Sequence, residues 1–186
     1  MYYIPYMYPH PYYVSNPSMY NYGRYYPMYW PHPQGWGIEN QFFSRQEGMN
    51  MTDFGGHPFV INIEDAAEQN DTFRTTLWTG DNLQVTLMSI RVGEDIGLEV
   101  HPDVDQFLRI EEGEGLVQMG DNKNKLDFEE SVYEDYAIMV PAGKWHNLTN
   151  TGNTPLKLYT IYAPPEHPFG TVHHTKAEAM EKEHDA

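Results

Sequence analysis

From Phe73 onward the chain is cut into short strand-like runs by glycines, prolines and Asn/Asp pairs, and this punctuation restricts the fold more than any other feature. Residues 73–79 and 83–92 flank a turn at Gly80-Asp81-Asn82. In the second run Leu83, Val85 and Leu87 alternate with Gln84 and Thr86, the period of two of a half-buried strand. Residues 96–101, 106–110, 115–119, 125–128, 137–140, the neighbourhood of Leu148 and residues 156–162 continue the series. Many short strands joined by tight turns predict an all-β sandwich or barrel. Two helices are expected. One covers residues 64–69, started by Asn62 or the following turn. The other begins at Lys176, where Thr175-x-x-Glu178 has the form of a capping box.

Composition shifts near residue 37. Residues 1–36 hold eleven of the fifteen tyrosines and seven of the fourteen prolines, and their single charged side chain is Arg24. Frequent prolines remove backbone donors and favour extended conformations, so residues 1–45 are expected to form a flexible arm. Tyrosines with few charges suit stacking, oxidative cross-linking or self-association through residues 1–36. In composition the arm is similar to the tyrosine- and proline-rich segments of bacterial spore-envelope proteins. Residues 46–72 then read as a linker with the short helix, 73–165 as the barrel and 166–186 as a tail with the second helix.

The whole chain excludes several partners. A formal charge of -16 over 186 residues argues against nucleic acid, whose phosphates need a basic face. With no cysteine, disulfides, thiolate metal sites and cysteine nucleophiles are absent. That fits a reducing, cytoplasmic compartment. The sequence contains no run of eighteen apolar residues, so no membrane association is expected. The N-terminus lacks the basic start and continuous apolar core of a secretion signal.

Two stretches carry the candidate chemistry. One runs Gly93-x5-Glu99-x-His101-x4-Gln106-x6-Gly113, and the other Asp135-x5-Pro141-x-Gly143-x2-His146-x3-Asn150. In a strand, Glu99 and His101 share a face. Successive strands of a closed barrel can aim further donors at the same point.

These spacings resemble the two motifs of the cupin superfamily, G-x5-H-x-H-x(3,4)-E-x6-G and G-x5-P-x-G-x2-H-x3-N. The resemblance covers roughly residues 73–163. Phe73-Arg74-Thr75 with Leu77-Trp78-Thr79-Gly80, and Ala163-Pro164-Pro165-Glu166-His167-Pro168 with Gly170-Thr171-Val172-His173, are similar to single-domain bacterial cupins described as like mannose-6-phosphate isomerase. The resemblance implies a double-stranded β-helix, or jelly-roll barrel, forming a homodimer and holding one divalent metal ion, Fe, Mn, Zn or Ni, in its mouth. It also implies a ligand set of Glu99, His101, Gln106 and His146.

That set departs from the family pattern. Glu99 stands where the first histidine belongs, Gln106 where the glutamate belongs, and Asp135 where the second motif begins with glycine. Two imidazoles and one carboxylate still suit non-haem iron or zinc. The neutral Gln106 amide keeps the net charge with a divalent ion near +1, as in the common site. Asp105 is the alternative to Gln106, because the shorter spacing is also allowed. The sequence does not decide which of the two points inward. The other reading has no metal, with His101 bonded to Glu99 and His146 kept for packing near Trp145.

Around this set the expected ligand is a small polar molecule such as a sugar or organic acid. Isomerisation, dioxygenation and decarboxylation all stay open. Glu99, if it is not a ligand, is a candidate proton acceptor, and His167 a candidate acid/base group at the rim. Arg74, Arg91, Arg109 and Lys144 form no evident cluster for a phosphate. A non-catalytic protein anchored in a protein layer, such as a spore envelope, is the competing class. Elsewhere Met88, Met119 and Met139 are expected as core fillers, Glu111, Glu112 and Glu114 as solvated, and Tyr133 and Tyr136 as either pocket or packing residues.

Overall fold

A computed structural model describes residues 51–184 of the protein, all within one compact unit. The expectations for residues 1–45 lie outside the described residues. Two antiparallel sheets carry the fold. The larger has six strands, drawn from β1 (Arg74–Thr79), β2 (Gln84–Ile90), β3 (Asp105–Glu112), β6 (Ala137–Val140), β8 (Leu156–Ala163) and β9 (Val172–His173), in the order β6-β3-β8-β2-β1-β9. The smaller has β4 (Glu114–Gly120) at its centre, between β5 (Phe128–Tyr133) and β7 (Trp145–Asn150). This is the expected jelly-roll barrel.

Strand register sorts the side chains. Across the large sheet Leu108 lies opposite both Ile138 and Thr160, and Thr160 opposite Thr86. This row and its neighbours Met88, Ile90, Ile110, Leu156 and Leu158 face inward. There they meet Val117, Val132 and Leu148 of the small sheet in one core. Each such side chain contributes about 1.5–3 kcal/mol by leaving water. The outer face of the large sheet is covered as well. Helix α1 (Ile63–Gln69) sets Ala66 and Ala67 against Leu77 and Leu87, and Met51, Phe54, Phe59 and Ile61 pack around them. The Asn62 side chain caps α1 by accepting from the Asp65 amide, as an Asx N-cap should.

The C-terminal helix α2 (Lys176–His184) starts where the capping box predicts. Thr175 Oγ1 accepts from the Glu178 amide, while the Glu178 carboxylate accepts from His174, one residue before the cap. Its Ala179 is part of the main core. Among the described residues no helix is long and apolar enough to cross a membrane.

Four expectations are corrected. Residues 96–101 form no strand: they meet the small sheet at one isolated bridge, Glu99–His146, and the preceding Asp95 makes another with Thr149. Gly97, at φ 93°, breaks the extended run before it can build a ladder. The strand placed at 125–128 begins at Phe128 and runs to Tyr133, through the charged Glu129 and Glu130 of an outer edge. Met139 is 64% exposed, because inward Ile138 and Val140 put it on the opposite face of β6. Glu111 is 5% exposed beside Arg109, and burial raises its pKa. Tyr133 and Tyr136 stack edge to face on the surface.

Candidate metal centre

Glu99 is brought to His146 by the backbone. The two residues exchange both amide hydrogen bonds, at 3.1 and 2.9 Å, so their side chains lie side by side. His101 follows two residues later on the same side. Its carbonyl accepts from the Gly143 amide at 2.8 Å, which ties the Pro141–Gly143 turn to it. Asp135, in the motif's glycine position, adopts the left-handed conformation with φ 71°. Asp tolerates that region better than most residues, so the turn survives the exchange. At Gly113 the requirement is stricter. With φ 93°, an added Cβ would lie 3.0 Å from the Pro155 carbonyl oxygen.

Three donors converge. Glu99 Oε1 is 3.4 Å from His101 Nε2 and 3.3 Å from His146 Nε2. These approaches lack hydrogen-bond alignment, and both Nε2 atoms are buried with no hydrogen-bond partner. The other ring nitrogens are engaged away from the cluster. His146 Nδ1 lies 3.0 Å from the Lys144 carbonyl, and His101 Nδ1 lies 3.1 Å from Glu166 Oε1. All three donor atoms fall within 4.8 Å of one another. Ligands about 2.0–2.2 Å from a shared tetrahedral zinc-like ion sit about 3.3–3.6 Å apart. The donor set and its spacing therefore fit a divalent metal.

The electrostatics agree with a carboxylate ligand. Burial alone would raise the Glu99 pKa, but the two imidazoles and the charge of Arg74 hold it down at about 2. For His101 burial would lower the pKa, yet Glu166 and Glu99 outweigh it and raise the ring to about 9. Burial, then the nearby Arg74 charge, pushes His167 down to about 3. Tyr162 is pushed up by burial.

The remaining candidates separate cleanly. Gln106 points inward and is 3% exposed, while Asp105 points out and accepts from the Ala142 amide. The Gln106 Nε2 atom donates to Thr160 at 3.3 Å, and its buried Oε1 has no hydrogen-bond partner. It lies in register with Tyr162, whose ring meets His101 edge on at 5.7 Å. His167 packs edge to face on Tyr162 at 5.0 Å, and its Nε2 is buried and unbonded. A cavity of about 660 Å³ adjoins the cluster, walled by Glu99, His101, Glu166, His167, Thr171 and His173 among others. The sequence assigns no role to Glu166 or His173. The only available signal was position, since both lie just beyond the last long strand.

Residues 86–162 match the family model described as Cupin domain. The uncharacterized protein YrkC of Bacillus subtilis (strain 168) is 56% identical over 190 residues, spanning 98% of this chain and 100% of that protein. The uncharacterized protein L612 of Acanthamoeba polyphaga mimivirus is 41% identical over 115 residues, 61% of this chain and 70% of its own length. Among solved structures, BH2720 from Bacillus halodurans is 68% identical with a TM-score of 0.70, covering 70% of this chain and 98% of that one. The motif spacings, the two facing sheets and these relatives lead to one assignment: the chain belongs to the Cupin domain family.

Proposed function

We propose that the protein is a metal-binding cupin that binds or acts on a small polar molecule in the cavity beside Glu99 and His101. One divalent ion, Fe, Mn, Zn or Ni, is held by Glu99, His101 and His146, with the Gln106 amide oxygen as fourth donor. The observation that carries this reading is the pair of buried, unbonded Nε2 atoms facing one carboxylate oxygen. Unpaired buried polar atoms are costly, and a shared cation satisfies all three at once. Such an ion supplies a Lewis-acid position that polarises a carbonyl or hydroxyl oxygen.

The protein's own residues favour some roles over others. A carboxylate as acidic as Glu99 is a poor proton acceptor and a good ligand. His167 is neutral at physiological pH and suits a hydrogen bond to the bound molecule. The expected likeness to mannose-6-phosphate isomerase-like cupins carries no phosphosugar substrate with it. Among the described residues the cavity wall carries Glu99 and Glu166 and neither lysine nor arginine, so no basic side chain of the usual phosphate-binding kind lines it. An uncharged or singly charged polar ligand fits this wall better.

The test is a calorimetric titration of the apoprotein with Zn²⁺ and Mn²⁺. The wild type is expected to bind one ion, and His101→Ala and His146→Ala each to lose binding by at least about 100-fold. Retention of full affinity by both variants would mean that the ligands are elsewhere.

The composition of residues 1–36 favours a second role that is compatible with the first. In this reading the tyrosine-rich arm anchors a homodimeric cupin in a proteinaceous layer such as a spore envelope, and the barrel is the module so displayed.

A further inference from the structure

His101 is braced by a residue outside both motifs. Glu166 Oε1 lies 3.1 Å from His101 Nδ1, on the side of the ring away from the Glu99–His146 pair. A loop between β8 and β9 delivers it, and that loop is pinned from below. The buried Gln84 side chain takes both backbone groups of His167: its Nε2 donates to the His167 carbonyl at 2.8 Å, and its Oε1 accepts from the His167 amide at 3.0 Å. Asp53 accepts from the Gly170 amide at 3.1 Å. Glu166 directly precedes the residue that Gln84 clamps, so its position is set by the β2 strand rather than by the loop alone.

We propose that Glu166 is a positioning residue of the metal centre, holding a proton on His101 Nδ1 so that Nε2 turns its lone pair toward Glu99 and His146. This rests on the metal-binding reading above. The two imidazoles are then braced unequally. His146 has the Lys144 carbonyl behind it, whereas His101 has a carboxylate, which fixes the tautomer and makes the ring a stronger donor. Because Glu166 also lines the cavity, the same side chain joins the ligand-facing wall to the metal's ligand shell.

Cobalt titration followed by visible absorption tests this, using the full chain and the variants Glu166→Ala, Glu166→Gln and His101→Ala. The band positions and intensities of Co²⁺ report its ligand field, which a change in general stability leaves alone. Glu166→Ala is expected to alter the spectrum and, once the proton released on binding is accounted for in each variant, to weaken Co²⁺ by about 10–100-fold. Glu166→Gln keeps an acceptor for Nδ1–H without the charge and is expected to fall between alanine and wild type. If both Glu166 variants match the wild type in affinity and spectrum while His101→Ala fails, Glu166 has no such role and the metal reading stands. A wild-type protein that takes up no Co²⁺ overturns the metal reading and this inference with it.

Discussion

At the scale of single residues the site divides by how each side chain is oriented. Glu99, His101 and His146 were legible because the spacing of the two motifs points to them. Gln106 against Asp105 was not legible, since the run Phe107, Leu108, Ile110 is apolar on both faces of β3. Only pairing with β6 and β8 sets its phase. Glu166 was illegible for a different reason: a lone glutamate after two prolines looks like any surface loop residue until His101 is placed beside it. The raised His101 pKa has a measurable consequence. In the metal-free protein the ring keeps its extra proton below about pH 9, and an incoming ion must displace it. Glu99, held near 2, stays ionised throughout and adds no dependence above about pH 4. Metal affinity is therefore expected to rise about tenfold per pH unit up to about pH 9 and then level off, with about one proton released per ion below that pH. Titrations in buffers of different ionisation enthalpy measure the proton directly, and an affinity independent of pH between 6 and 8 would contradict it.

At the scale of elements, turn residues and alternation located most strands to within a few residues. They failed where tertiary contacts override local pattern. Residues 96–101 look like a strand, yet Gly97 reduces them to an isolated bridge that still aims Glu99 and His101 inward. The short helix α1 was readable from its cap, but its anchor was not. That anchor is Lys157 of β8, whose buried ammonium donates to the Asn70 carbonyl at 2.6 Å and to Asp71 at 2.9 Å. Its side chain is only 7% exposed. Lys157→Met leaves the carbonyl at the end of α1 without this donor, and a loss of about 1–3 kcal/mol is expected in urea unfolding. Lys157 and Tyr162 are five residues apart on β8, about 16 Å along the strand, so metal affinity is expected to be unchanged. A variant as stable as wild type would show that α1 is held by apolar packing alone.

For the molecule taken entire, residues 1–36 differ from the barrel in composition, rich in tyrosine and proline with Arg24 as their single charged side chain. The barrel has a shared core between two sheets, with helices on the outside face and at the C-terminus. The described residues lie in one compact unit with a core of their own. A protein lacking residues 1–45 is accordingly expected to keep its thermal unfolding midpoint within a few degrees. If the arm drives assembly, light scattering will show the full chain in larger species than the truncated one. Equal sizes at matched concentrations would remove the support for an anchoring arm.

Elemental analysis reads the occupancy of the Glu99, His101 and His146 cluster without intermediaries. Full-length protein, purified without chelator and then exposed to Fe²⁺, Mn²⁺, Ni²⁺ and Zn²⁺ in turn, is expected to retain about one ion per chain after desalting. No stoichiometric retention of any of the four would contradict metal binding and leave Glu99, His101 and His146 as a buried cluster without an ion.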